Sequence, residues 1–224
     1  MKLPDEVAVM TLPNATLFPQ ALLPLVIFEP RYRRMLQDAL ETSRMFSVAM
    51  QKPGNKRESP SPVAGLGLIR ASVRHPDGTS RLILQGIARV ELTGTVRYKP
   101  YRVHTIRPLY SEQSDSGNLQ SLIAKVRKLL KERMDLGLPF PFPAPPTGNS
   151  ELDPFAGDFS PKDVIDYLDN IPDPEQVADL VCCTVLRGPK ERQKILETVN
   201  LEERFKQLVN FLAAEIRQHK DNNF

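Results

Sequence analysis

Tryptophan is absent from this chain of 224 residues, cysteine occurs twice and histidine three times. The two cysteines, Cys182 and Cys183, are adjacent, and a bridge between neighbours would be strained away from normal disulfide geometry. They lack the spacing of a zinc site, and His75, His104 and His219 are too scattered to complete one. The expectation is no metal, no cofactor and no redox role, with the cysteines serving as small apolar residues on a helix face. Long apolar runs are missing too. The longest, Leu22 to Phe28, is interrupted by Pro24 and falls far short of the ~20 residues that span a bilayer. Pro4, Asp5 and Glu6 stand where a signal peptide needs its apolar stretch. The expected setting is therefore the cytoplasm, with no membrane partner.

Catalytic motifs are equally scarce. Gly188-Pro189-Lys190 and Gly54-Asn55-Lys56 lack the flanking glycine and hydroxyl of a phosphate loop. Gly65-Leu66-Gly67 lacks the third glycine of a dinucleotide fingerprint. No G-x-S-x-G elbow and no H-E-x-x-H occurs. Asp166 and Asp169 form a carboxylate pair on a helix that reads as solvated. No residue is nominated as catalytic, so the chain is expected not to be an enzyme.

What is present suits a folded chain: 41% hydrophobic and 25% charged residues argue against global disorder. Charge divides it in two. Residues 1–110 hold sixteen Lys and Arg against eight Asp and Glu, whereas residues 111–224 hold fourteen against nineteen. The first part reads as β-structure. Val7 to Leu12 and Leu22 to Phe28 are short apolar runs, and Pro30 opens a helix whose Tyr32, Met35, Leu36, Ala39 and Leu40 share one face. Arg44 to Met50 is a further strand. Val63 to Arg74 and Thr79 to Leu84 flank the Asp77-Gly78 turn, and Gly86 marks a bulge or bend before the alternating Arg89 to Leu92. Tyr101 to Leu109 supplies the last strand.

The second part reads as helices. Apolar stripes run from Leu119 to Met134, through Val177, Leu180, Val181 and Val185, through Ile195 and Leu196, and from Leu201 to Ile216. Ser160-Pro161 and Asp173-Pro174 look like helix starts, and Asn200 with Glu203 forms a capping-box-like pair. Between helices lies a Pro- and Phe-rich insertion at 136–159, carrying Phe140 and Phe142. It is expected either to dock loosely on the chain's own surface or to hold a partner. The fold class expected is α+β: a β-rich barrel over 1–112, then a helical subdomain over 113–224.

Several motifs, taken in order, carry a family resemblance. Leu12-Pro13, Leu17-Phe18-Pro19, Pro24-Leu25 and Ile27-Phe28-Glu29-Pro30-Arg31-Tyr32 come first. The Asp77-Gly78 turn, Gln85-Gly86-Ile87-Ala88-Arg89-Val90 and Pro100-Tyr101 follow. Pro172-Asp173-Pro174 with Ala178-Asp179, Arg192 to Glu197, and Glu203-Arg204 close the set. Over residues 7–212 the chain resembles the amino-terminal substrate-recognition domain of Lon proteases, with Gln20 where that family usually has glycine. The resemblance implies a PUA-like pseudo-barrel followed by a helical bundle. It also implies recognition of unfolded or extended protein segments, acting alone or as an adaptor, because the sequence ends at Phe224 without the length of an ATPase core. RNA binding is the alternative, favoured by the basic first part, although its basic residues are scattered. A small-molecule pocket inside the barrel is a third class. The candidate binding surface comprises Arg31, Arg33, Arg34, Tyr101, Phe140 and Phe142. Phe28, Glu29 and Tyr32 are expected to be structural, with both aromatics packed at the junction of barrel and helix.

Overall fold

The computed structural model describes residues 2–52, 54, 58–112, 117–138 and 161–222. The chain divides into two compact units, Met1–Tyr110 and Ser111–Phe224. The first contains β1 (Glu6–Leu12), β2 (Leu22–Ile27), α1 (Pro30–Glu41), β3 (Met45–Met50), β4 (Val63–Arg74), β5 (Ser80–Arg97) and β6 (Arg102–Leu109). The strand order is β2-β5-β4-β3-β1-β6, and β5 pairs with β6 as well. That extra pairing closes five strands into a barrel and leaves β2 outside the ring, attached to the first part of β5. With this sheet and six helices among the described residues, the architecture is α+β.

One long strand makes the closure possible. Residues 80–85 of β5 pair with β2, and residues 89–97 pair with β6. The register against β4 shifts between Leu66 and Gly67, where Gly86 is the partner, so the bend expected at Gly86 is the point at which β5 changes neighbours. The strand then runs on to Arg97, beyond the expected end at Leu92, because the pairing with β6 holds the weakly apolar Thr93 to Thr95 in line.

Leu17 and Phe18 cross this bend. Both are buried, and an added Cβ on Gly65 or Gly86 would lie 1.9 Å from the carbonyl oxygen of Leu17 or Phe18 respectively. The two glycines are thus places where another stretch of backbone lies directly on the strand. A tight turn follows, closed by Gln20 N–H donating to Gly86 O (2.9 Å) and Ala21 N–H to Phe18 O (3.2 Å). Gln20 has φ +66°, the left-handed region that glycine occupies without strain.

Two apolar clusters form the core of this unit. Met10, Phe46, Val48, Leu82 and Leu84 pack with the buried face of α1 (Tyr32, Met35, Leu36 and Ala39), while Val7, Val9, Met45, Ala64, Leu66 and Val90 form the second cluster. β3, buried at every position, faces both, which is why its apolar residues run consecutively rather than alternating.

The second unit consists of α2 (Asn118–Asp135), α3 (Pro161–Asp169), α4 (Pro174–Val185), α5 (Pro189–Glu197) and α6 (Leu201–Asn222). Asp173 caps α4 by accepting from Glu175 N–H at 2.9 Å, and Asn200 Oδ1 accepts from Glu203 N–H at 3.0 Å as the sequence suggests. Ser160, Phe140, Phe142 and the Pro- and Phe-rich stretch from Pro139 onward lie outside the described residues.

Two buried arginines tie the helices together. Arg133 of α2 donates from both Nε and Nη2 to Glu215 of α6, at 2.8 and 3.0 Å. Arg204, fully buried in the first turn of α6, reaches Glu175 and Asp179 of α4, the Ser111 hydroxyl and the carbonyls of Thr198 and Val199. Such guanidiniums tolerate burial only because nearly every donor finds a partner.

Candidate functional site

The expected arginine surface is largely spoken for. Arg31 donates from Nε to Glu29 at 2.8 Å and from Nη1 to Glu58 at 2.5 Å, and its guanidinium stacks 4.3 Å from the Tyr32 ring centre. Arg102 also donates to the Glu58 carbonyl. Tyr32 is buried, and its hydroxyl both accepts from Thr11 N–H and donates to Thr11 O at 3.2 Å. Burial first, and then the Glu58 charge, push its phenol up to about 12, so it stays protonated. Arg34 pairs with Asp38 at 3.0 Å, and Arg33 lies over the Asp77-Gly78 turn. The contacts of Arg31 with Glu58 and of Tyr32 with Thr11 fix α1 on the barrel, whereas the Arg34–Asp38 pair lies within the helix.

Two expectations need correction. Tyr101 is buried, with its hydroxyl donating to Asp38 at 2.6 Å and Arg97 covering the ring at 4.6 Å. That hydrogen bond, ahead of the Arg34 charge, holds the Asp38 carboxyl below its ordinary range. Tyr101 is therefore a strut rather than a contact surface. Phe28 departs the other way: it is 62% exposed. Ile27, one residue earlier, enters the core, and the alternation of an extended chain sends Phe28 outward. Glu29 and Tyr32 do hold the junction.

Phe28 belongs to an apolar face that the sequence reading missed. On β2, Leu23, Leu25 and Ile27 pack toward the core, so Leu22, Pro24 and Val26 face away. The register sets Pro24 beside Ile83 and Ala71, and Val26 beside Arg81 and Val73. Leu22, Val26, Phe28 and Val73 are exposed. Beside this face runs an unpaired edge, since β2 has β5 as its sole strand partner among the described residues. Pro24 is compatible with that place, because a residue without an N–H fits only where the ladder ends. The signal was legible in retrospect: LLPLVIF has no polar residue for an outer face to present.

Elsewhere, a cavity of about 410 Å³ in the helical unit is lined by Leu138, Leu186 and Phe211 with Arg187 and Glu191. Among the described residues, no cluster of three or more His, Cys, Asp or Glu is placed to hold a metal ion, and no helix is long and apolar enough to cross a membrane.

The family model of the substrate-binding domain of the ATP-dependent protease La (LON) matches residues 6–214. The chain belongs to this family. The LON substrate-binding domain here is 23% identical over 219 residues to the Lon protease of Dictyoglomus thermophilum, covering 96% of this chain and 25% of that protein. With the Lon protease of Roseiflexus castenholzii it shares 25% over 220 residues, covering 95% and 24%. The chain thus spans about a quarter of the length of the curated relatives it matches. Among solved structures, the N-terminal domain of Mycobacterium avium complex Lon protease superposes with a TM-score of 0.69 at 16% identity, covering 93% of this chain and 98% of that one. A Lon N-terminal domain protein from Xanthomonas campestris gives 0.61 at 17% identity, with 92% and 98% covered. Both share the LON-domain fold.

Proposed function

We propose that this chain holds extended, apolar segments of unfolded proteins on the outer face of β2. The segment's main chain adds to the free edge, and its side chains rest on Leu22, Val26 and Phe28. The carrying observation is Phe28, a large aromatic left 62% exposed beside an unpaired strand edge. Solitary exposed apolar residues need no explanation, but four within three neighbouring strands and their flank form a patch. Membership of a family described as substrate-binding supports the same reading.

The proposed role is binding without cutting, in a cytoplasmic setting where unfolded chains occur. No phosphate loop or nucleophile elbow stands in the 224 residues, and ATP turnover or peptide cleavage that follows the protein through two orthogonal columns would overturn this part. RNA binding gains no support from the relatives, and Arg31 and Arg34 are ion-paired within the unit.

The test is binding of a reduced, alkylated and permanently unfolded protein by the wild type and by the double variant Val26→Ser, Phe28→Ser. Burying a large apolar side chain is worth about 1.5–3 kcal/mol, so losing both contacts should weaken binding by tenfold or more. The unfolding midpoint should hold, since both side chains are exposed. Unchanged binding by the folded double variant would remove β2 from the function.

A further inference from the structure

β2 leaves open its main chain as well as an apolar face. In an antiparallel ladder, alternate residues turn both main-chain groups toward the same neighbouring strand. Gly86 N–H donates to Ala21 O at 2.9 Å, and Leu22 to Ile27 continue that register against Gln85 to Ser80. Ala21, Leu23, Leu25 and Ile27 therefore turn toward β5, and Leu22, Pro24 and Val26 turn away from it. Pro24 sets the same parity independently. With no N–H to give, it fits the side that has no ladder and would leave the Ile83 carbonyl unfilled on the other.

The outer edge thus presents a fixed series of groups: N–H and C=O of Leu22, C=O of Pro24, then N–H and C=O of Val26. None has a main-chain partner among the described residues. These residues recur ~6.6 Å apart, the two-residue repeat of a strand. Complementary partial charges at that spacing belong to another extended chain, since a helix uses its own N–H and C=O groups internally. A second copy of β2 is a poorer fit. Laid antiparallel with Pro24 on Pro24, the two strands have no donor at their centre, whereas a segment of another protein supplies its own N–H there. Leu22, Pro24 and Val26 also carry the side chains of the outer face, so hydrogen bonding and apolar contact share one parity.

Resting on the segment-binding reading of this face, we propose that the segments it takes pair antiparallel with β2, are apolar at every second residue, and exclude proline from those apolar positions while accepting it between them. In antiparallel pairing, residues directly opposite share both a hydrogen-bonding direction and a face of the sheet. The three segment residues opposite Leu22, Pro24 and Val26 must therefore each give an N–H and each lay a side chain on the apolar face. The residues between them turn their N–H away from β2. In parallel pairing a residue bonds to the neighbours of the one opposite, so donors and apolar side chains would fall on different residues. The antiparallel arrangement is the more stable per residue, and it is the one β2 already makes with β5.

The experiment uses a fluorescently labelled peptide alternating valine and serine, and its singly N-methylated forms, each titrated against the full chain by anisotropy. N-methylation of a central valine should weaken binding by about tenfold, because one donor is lost and the methyl group meets the edge. N-methylation of a serine between valines should change affinity by less than about twofold. Pro24→Ala adds a donor at the outer edge and should tighten binding of the unmodified peptide by about threefold to tenfold. Losses on the serines alone would show parallel pairing and overturn the proposal. No dependence on position, with binding still lost in Val26→Ser, Phe28→Ser, would overturn strand pairing and leave the apolar face of β2 as the binding site. Failure to bind the unmodified peptide would overturn both readings. A dimer of the free chain that the peptide dissociates, seen by light scattering, would make a second copy the resident occupant and overturn the proposal.

Discussion

Replacing Gly86 with alanine tests how the barrel is assembled. The new methyl group would lie 1.9 Å from the Phe18 carbonyl oxygen, where 3.4 Å or more is ordinary. Backbone must therefore move by about 1.5 Å, and rotamer changes cannot relieve a clash between backbone atoms. Two hydrogen bonds share the collision: Gln20 N–H to Gly86 O and Gly86 N–H to Ala21 O, both 2.9 Å. Each is worth about 0.5–1.5 kcal/mol. Leu17 and Phe18 are 0% and 1% exposed, and losing roughly half of their burial removes about another 2–3 kcal/mol. The expected loss is about 3–6 kcal/mol, a large fraction of the 5–15 kcal/mol by which domains are usually stable. Urea unfolding followed by tyrosine fluorescence reports mainly on this unit, since Tyr32, Tyr98, Tyr101 and Tyr110 lie in it and Tyr167 alone lies in the other. The midpoint should fall by roughly 2 M. Gly117→Ala, with nothing within 4 Å of the added atom, is the control and should be near neutral. A loss below about 1 kcal/mol for Gly86→Ala would refute the close approach of Phe18 to β5.

Gln20→Gly should stabilise the barrel unit by about 0.5–1 kcal/mol, because relief of a left-handed backbone outweighs the entropy cost of glycine; a loss measured in the same urea assay would contradict this. Arg204→Met should cost about 3–5 kcal/mol, seen as a lower thermal midpoint by circular dichroism, because Asp179 stays buried without its guanidinium. A midpoint within 1 °C of wild type would show the network to be dispensable. His104 is buried, with no hydrogen-bond partner for Nε2 among the described residues, and burial first, then Arg102, lowers its pKa. The unfolded chain therefore takes up the proton first, so stability is full above pH ~6.5 and declines as pH falls through that value toward the folded pKa. Unfolding free energies at pH 7.5 and 5.5 should differ more in the wild type than in His104→Asn, and equal differences would remove His104 from the effect.

Much of the fold could be read from residue patterns because local chemistry and tertiary placement agree there. The α1 stripe of Tyr32, Met35, Leu36 and Ala39 is buried as its spacing indicates, and Gly78 adopts the positive φ expected of the Asp77-Gly78 turn. Gly86 was legible as a bend. Its reason was not, since the backbone of Phe18 reaches it from 68 positions earlier in the chain. The candidate surface was harder still. Arg31 and Arg34 look like an open basic patch until Glu58 and Asp38 are brought beside them, and Glu58 lies 27 residues from Arg31. Residue type places Phe28 in the core, whereas the parity of β2 decides otherwise: Ile27 is inward and its neighbour cannot be. The apolar face of β2 follows from strand order, which no local pattern contains.

The most direct test of segment binding on β2 is amide hydrogen exchange of the full chain with and without a saturating extended apolar peptide. Addition of a strand to the free edge should slow exchange at amides within Leu22–Phe28 by tenfold or more, while the buried face of α1 stays unchanged. Protection confined to α1 and β6, with β2 exchanging as in the free protein, would contradict the account.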